Sequence, residues 1–261
     1  MTGPVFISGV AVLLTGSVAL EVGVLSGLWY LPTAGYHLIH LSLMAALLAG
    51  MLLLHRQRRR AGAADAPVAL LFAAGLAFTG IGDFVNSGLS PVGAVTAKLS
   101  WALLFFALGY GCYVVGLVKG LALLAAPRPG WVWLLVPAIL AVNVVGWITR
   151  VEHRVEGSPL LYYGSFVFNA TLYVVLPWLA VRYLLLRPFR VDGVLVLGGT
   201  LLAAYSDLVL FDSWLALPAG VAVPTALYAT NWIVYFGGQC LITLFPAALA
   251  AEDRVYSVAV P

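Results

Sequence analysis

The sequence predicts an all-α polytopic membrane protein with eight transmembrane helices and both termini in the cytoplasm. Three observations carry this expectation. Of 261 residues, 63% are hydrophobic and only 9% are charged, where soluble domains are nearer a quarter charged. Eight runs reach the ~20 mostly apolar residues that a helix needs to cross a bilayer. The lysines and arginines gather at alternate ends of those runs, as they do in cytoplasmic loops.

The first run, Pro4 to Leu28, has no basic segment before its apolar stretch, so it reads as a spanning helix and not as a cleaved signal. Its one charge is Glu21. The second, Pro32 to Leu54, carries His37 and His40 near its start and is followed by Arg56, Arg58, Arg59 and Arg60. The third, Pro67 to Gly88, holds Asp83 and Asn86. The fourth, Val95 to Leu121, ends near Lys119 and Arg128, and the fifth is Trp131 to Thr149. The sixth, Pro159 to Leu186, ends near Arg182, Arg187 and Arg190. The seventh, Val191 to Trp214, embeds Ser206 and Asp207, and the eighth, Pro224 to Leu249, precedes Arg254. Proline stands at or near five of these starts, where its missing N–H is harmless.

The even-numbered ends hold ten of the thirteen basic residues, leaving Lys98, Arg150 and Arg154 for the far side. Trp29, Trp131, Trp133, Trp178 and Trp214 fall near helix ends and read as interface anchors. Cys112 and Cys240 lie in apolar runs without a CxxC pairing and read as small core residues. Residues 1–261 form one integral-membrane domain with no second unit, repeat or low-complexity segment. A net charge of +3, spread over loop clusters, fits membrane topology and not nucleic-acid binding.

That topology also fixes depth. Odd-numbered helices run outward together, and Glu21, Asp83 and Asp207 lie 17, 16 and 16 residues beyond Pro4, Pro67 and Val191. At 1.5 Å per residue each sits about 24 Å from the cytoplasmic end, in the outer half of the apolar layer. His37 and His40, near the start of an inward-running helix, fall in the same layer, as does Asn231. Residues three and four apart share a helix face, which gives stripes of Thr79, Asp83 and Asn86; of Tyr162, Phe166, Asn169 and Tyr173; and of Tyr228, Asn231, Tyr235 and Gln239. Gly198, Gly199, Gly237 and Gly238 allow close helix approach. The expectation is a polar cavity below the outer surface.

Carboxylates within a bilayer are costly and need a partner or a task. Two that share an enclosed site do not both ionise readily, so one can hold a proton while the other is charged. Asp83 and Asp207 are therefore the expected general acid and cation stabiliser, with the roles unassigned. Glu21 is a candidate third acid, a proton-entry group, or a carboxyl hydrogen-bonded to a neighbouring helix. Asp212 lies nearer the outer surface and is expected to face interface water. His37 and His40 can bind a phosphate head group or move protons. A metal would require three or four ligands, and no metal or cofactor is expected. His55 and His153 sit beside or within charged loops and read as solvated. Helices seven and eight lack a central lysine for a retinal Schiff base, and the chain has no GxSxG elbow, P-loop or HExxH.

The segment GIGDFVNSG, the spacing of Phe106, Gly109, Tyr110 and Tyr113, the segment LGGTLLAAYSDLVL and the closing YATNWIVYFGGQCLITLF together resemble the lysoplasmalogenase-like membrane proteins. The likeness covers helices three, four, seven and eight. It implies eight spanning helices, the bacterial cytoplasmic membrane and a membrane-lipid substrate. The implied reaction is hydrolysis of the vinyl-ether bond of an ether lysolipid to a fatty aldehyde and a glycerophospho-alcohol. Asp83 matches the family's Gly-Asp aspartate, Asp207 its Ser-Asp aspartate, and Tyr235 and Gln239 the tyrosine and glutamine of its last helix. Tyr110 stands where the family often has histidine, and His40 with Leu41 where it usually has Lys-Pro.

Proton delivery to an alkene carbon by one carboxyl, with the other stabilising the oxocarbenium-like cation, suits this residue set. Glu21 completes the catalytic candidates. His37, His40, Tyr110, Asn169, Asn231, Tyr235 and Gln239 are the candidate substrate-binding residues, with His37, His40 or Lys98 placed to hold a phosphate. Two alternatives remain open: an acid-initiated isoprenoid cyclase and a proton-coupled lipid binder or transporter.

Overall fold

The computed structural model describes residues 3–87, 89–92, 95–124, 132–150, 159–186, 190–216 and 224–258, with the side chains of 95–97, 132–135, 150, 211–216 and 252–258 left undescribed. Helices account for nearly all of it, and no strand occurs among the described residues. We number them α1 Gly3–Leu25, α2 Thr33–Arg60, α3 Ala66–Asn86, α4 Val95–Leu123, α5 Val132–Arg150, α6 Pro159–Leu186, α7 Val191–Ala216, α8 Thr225–Ile242 and α9 Leu244–Val258. Seven described stretches are long and apolar enough to cross a bilayer, one of them running through α8 into α9. The eighth, in α5, is a shorter apolar stretch over Val136–Thr149.

Helix boundaries follow local chemistry. α2 continues past Leu54 to Arg60, because glutamine and arginine are good helix formers that carry the helix into water after the apolar run ends. Pro32 and Pro224 precede α2 and α8, Pro67 sits in the first turn of α3, and Pro159 opens α6. At these places proline's fixed φ suits helix entry and its missing N–H costs nothing.

Two prolines inside helices leave visible marks. Pro177 cannot donate to Tyr173, and its ring crowds that carbonyl. The preceding turn, Ala170–Val175, relaxes into a π-helix in which the Leu176 N–H reaches Thr171 O. Pro246 does the same to Ile242, and there the chain breaks at Thr243 between α8 and α9. The eighth run is therefore two helices, not the single one its hydropathy suggests.

α8 and α9 occupy the middle of the bundle: 83% of their most apolar window is buried, against 22% for α1. α7, α1, α3 and α4 pack around them, α2 lies against α3 and α1, and α5 packs chiefly on α6. At one end a Cβ added to Gly3 would lie 2.9 Å from Ala247 O. The Arg58 guanidinium reaches Ala250 O at 3.5 Å and bonds Asp65 at 2.7 Å. The start of α1, the basic end of α2 and α9 therefore share one end of the bundle, filled by Phe72, Tyr183 and Phe245. The polar residues gather toward the other end.

Of the four glycines expected to bring helices together, two do so. A Cβ on Gly199 would meet Ile242 N at 2.7 Å, and one on Gly238 would meet Ala203 N at 2.8 Å. α7 and α8 therefore touch backbone to backbone. Gly198 faces open space, and Gly237 has only ordinary contacts.

Three smaller expectations are corrected. His55 is not simply solvated, since its Nδ1 lies 2.8 Å from Ala66 O and ties α2 to α3. Trp178 is no interface anchor but a buried residue, 9% exposed, with the Arg182 guanidinium 5.1 Å above its ring. Tyr162 and Phe166 turn toward Trp147 of α5 and not toward a central cavity. Trp29 is half exposed at the end of α1. The side chains of Trp131, Trp133 and Trp214, of Asp212, and of His153, Arg150 and Arg154 lie outside the described residues.

Candidate functional site

A recess opens among α2, α3, α4, α7 and α8. His37, His40 and Leu41 of α2 line it, with Asp83, Asn86 and Ser87 of α3, Phe106 of α4 and Leu210 of α7. Tyr228, Asn231, Trp232 and Tyr235 of α8 complete the wall. Helical spacing explains the set: Asp83 and Asn86 are three apart, and Tyr228, Asn231 and Tyr235 follow at three and four, so each group projects from one face. Among the described residues no lysine or arginine lines the recess, and Lys98 is not among its walls.

Asp83 is partly exposed on the wall, and its Oδ2 accepts the Tyr235 hydroxyl at 2.9 Å. Asp207 lies behind, 4% exposed, hydrogen-bonded to the Tyr110 hydroxyl. The second oxygen of Asp207, Oδ2, is enclosed and meets no hydrogen-bonding partner among the described residues. The two carboxyls are within electrostatic reach of each other.

A chain of buried groups supports the pair from below. Tyr113 donates to Gln239 Oε1 at 2.7 Å, and Gln239 Nε2 donates to the Tyr110 oxygen at 3.3 Å. All three side chains are fully buried. An amide is suited to this place because it accepts at one atom and donates at another, so it fixes the direction of both phenols. Tyr110 and Gln239 thus stand behind the recess and orient Asp207 instead of lining the space. Asn231 does line it, and accepts the Ser206 hydroxyl at 3.1 Å across the α7–α8 contact.

A second cluster joins α1, α2 and α8. Glu21 is fully buried, bonded at Oε2 by the Tyr36 hydroxyl and at Oε1 by His40 Nε2, 2.6 Å away. His37 Nδ1 lies 3.0 Å from the Tyr228 hydroxyl, and Tyr228 is within electrostatic reach of both Glu21 and Asp83.

The structure therefore brings Asp83, His37, His40, Asn231 and Tyr235 to one recess, with Asp207, Tyr110, Gln239 and Glu21 one layer behind. It does not bring Asn169 there. That residue is partly buried on α6, immediately before the π turn, and is absent from the lining. Among the described residues no group of three His, Cys, Asp or Glu side chains is placed to hold a metal.

Sequence reasoning did not single out Tyr36 or Trp232. Tyr36 stands four residues before His40, which is the spacing of a shared face. Trp232 stacks on the His40 ring at 3.9 Å and 7°, a contact that only tertiary packing reveals. No family model, curated protein or solved structure matches this chain.

Proposed function

We propose that this chain is an eight-helix membrane hydrolase of the lysoplasmalogenase type, with both termini cytoplasmic, in the bacterial inner membrane. Its reaction is the acid–base hydrolysis of the vinyl-ether bond of an ether lysolipid to a fatty aldehyde and a glycerophospho-alcohol. The supporting observation is the meeting of Asp83 and Asp207, one on the wall of an open recess and the other buried just behind, each bonded by a tyrosine hydroxyl. A carboxyl pair in a low-dielectric site can divide the work of proton donor and cation stabiliser. The orientation draws on the basic residues at the end where Gly3, Arg58 and α9 meet.

The test is aldehyde release from a vinyl-ether lysolipid by purified protein in lipid. General acid catalysis contributes about 10²- to 10⁴-fold, so Asp83→Asn and Asp207→Asn are each expected to lose turnover on that scale while remaining folded. Folded variants with undiminished turnover defeat the reading.

A second reading is favoured by the aromatic rings around the acids, Phe106, Tyr110, Tyr228, Trp232 and Tyr235. Such rings stabilise cations, which suits an acid-initiated isoprenoid cyclase. A ring product of unchanged mass supports it, whereas proton-coupled lipid movement without covalent change supports transport.

A further inference from the structure

The α2 side of the recess holds a constellation that the aspartate pair does not use. Glu21 is engaged at both oxygens: Oε2 accepts the Tyr36 hydroxyl, and Oε1 lies 2.6 Å from His40 Nε2. A carboxylate so engaged keeps the imidazole proton on Nε2 and leaves Nδ1 as a bare lone pair. Nδ1 is enclosed and meets no partner among the described residues, and the same holds for Nε1–H of Trp232, the ring stacked on His40. Both side chains line the recess, and His40 is only 2% exposed.

Buried polar atoms without partners are rare. Here an enclosed acceptor and an enclosed donor, neither with a partner among the described residues, lie on adjacent stacked rings. A hydroxyl group satisfies both, giving its hydrogen to Nδ1 and accepting from Nε1–H. Carboxylate-oriented imidazoles with one free nitrogen are suited to taking a proton from such a group.

We propose that His40 and Trp232 seat the water that attacks in this recess, with His40 as its base and Glu21 as the residue that positions His40. This rests on the hydrolase reading. After a carboxyl proton reaches the alkene carbon, the water oxygen bonds to the oxocarbenium carbon and one water proton passes to Nδ1. The product is a hemiacetal. Its bond to the glycerol oxygen then breaks: that oxygen takes the Nδ1 proton, the hemiacetal hydroxyl proton returns to the carboxylate, and aldehyde and alcohol depart.

Two measurements on the full chain in lipid nanodiscs test this. The first needs no substrate: nitrogen NMR of histidine-labelled protein, with His40 assigned by comparison with His40→Gln, reports which ring nitrogen carries the proton. A proton on Nε2 and a bare Nδ1 is the expected result, and a proton on Nδ1 overturns the proposal. The second follows aldehyde release by His40→Ala. Turnover should fall on the scale of a lost general base, about 10²-fold or more, and added imidazole should restore part of it. Glu21→Gln should lower kcat with little change in KM. Undiminished turnover in His40→Ala, or a loss in folded protein that imidazole does not relieve, overturns the proposal. If the wild type releases no aldehyde, the hydrolase reading itself has failed, and the proton position on His40 then decides whether a free base faces the recess.

Discussion

Asp83 and Asp207 serve one space unequally. Asp83 is reached from the recess and steadied at Oδ2 by Tyr235, while Asp207 is enclosed and held through Tyr110. A hydrogen bond to a charged group contributes about 1.5–3 kcal/mol. Tyr235→Phe should therefore reduce turnover roughly tenfold to a hundredfold while leaving the fold intact, as steady-state kinetics with circular dichroism will show. Gln239→Leu strands the Tyr113 hydroxyl in the core and removes the amide that orients Tyr110 toward Asp207. Individual side-chain hydrogen bonds inside membranes average only ~0.6 kcal/mol, but stranded buried groups cost more. A loss of roughly 1–3 kcal/mol is expected in denaturant titrations in mixed micelles. At this scale the acids were legible because ionisable residues stand out in apolar runs. Tyr36 and Trp232 were not, since among 12 tyrosines and 8 tryptophans an aromatic residue marks no particular position.

Single residues set the shape of whole elements. Pro177 opens the π turn of α6, and Pro246 divides the last span into α8 and α9. Each follows from the clash between a proline ring and the carbonyl four residues earlier. Glycine acts between elements: α7 and α8 lie so close that a Cβ on Gly238 would sit 3.0 Å from Gly199 O and 2.8 Å from Ala203 N. Gly238→Ala must push backbone from backbone, moving Ser206 and Asp207 relative to Asn231. We expect a lower thermal midpoint and reduced turnover together. Gly198→Ala, with nothing within 4 Å of the added methyl, should leave the thermal midpoint unchanged. The two glycine pairs were visible in the sequence, but which member of each makes the contact depends on helix rotation, and that is set by packing.

For the whole molecule, the start of α1, the basic end of α2 and α9 share one pole while the recess opens toward the other. If the basic pole is cytoplasmic, a cysteine introduced as Tyr30→Cys, at a position 94% exposed beyond α1, will react in intact cells with a maleimide that cannot cross the membrane. Arg59→Cys will react only after permeabilisation, and the reverse pattern would invert the topology. The sequence by itself determined the all-helical class and the number of apolar runs, and it set the expectation that the acids share one layer. All three follow from one-dimensional quantities: apolar length, rise per residue and the cost of charge in hydrocarbon. Only the tertiary structure decided which polar residues touch, joining Glu21 to His40, stacking Trp232 on that histidine, and linking Asp207 to Tyr113 through Tyr110 and Gln239. The reason is geometric. Depth along a helix is counted from residues, whereas the direction a side chain faces depends on how each helix is turned against its neighbours.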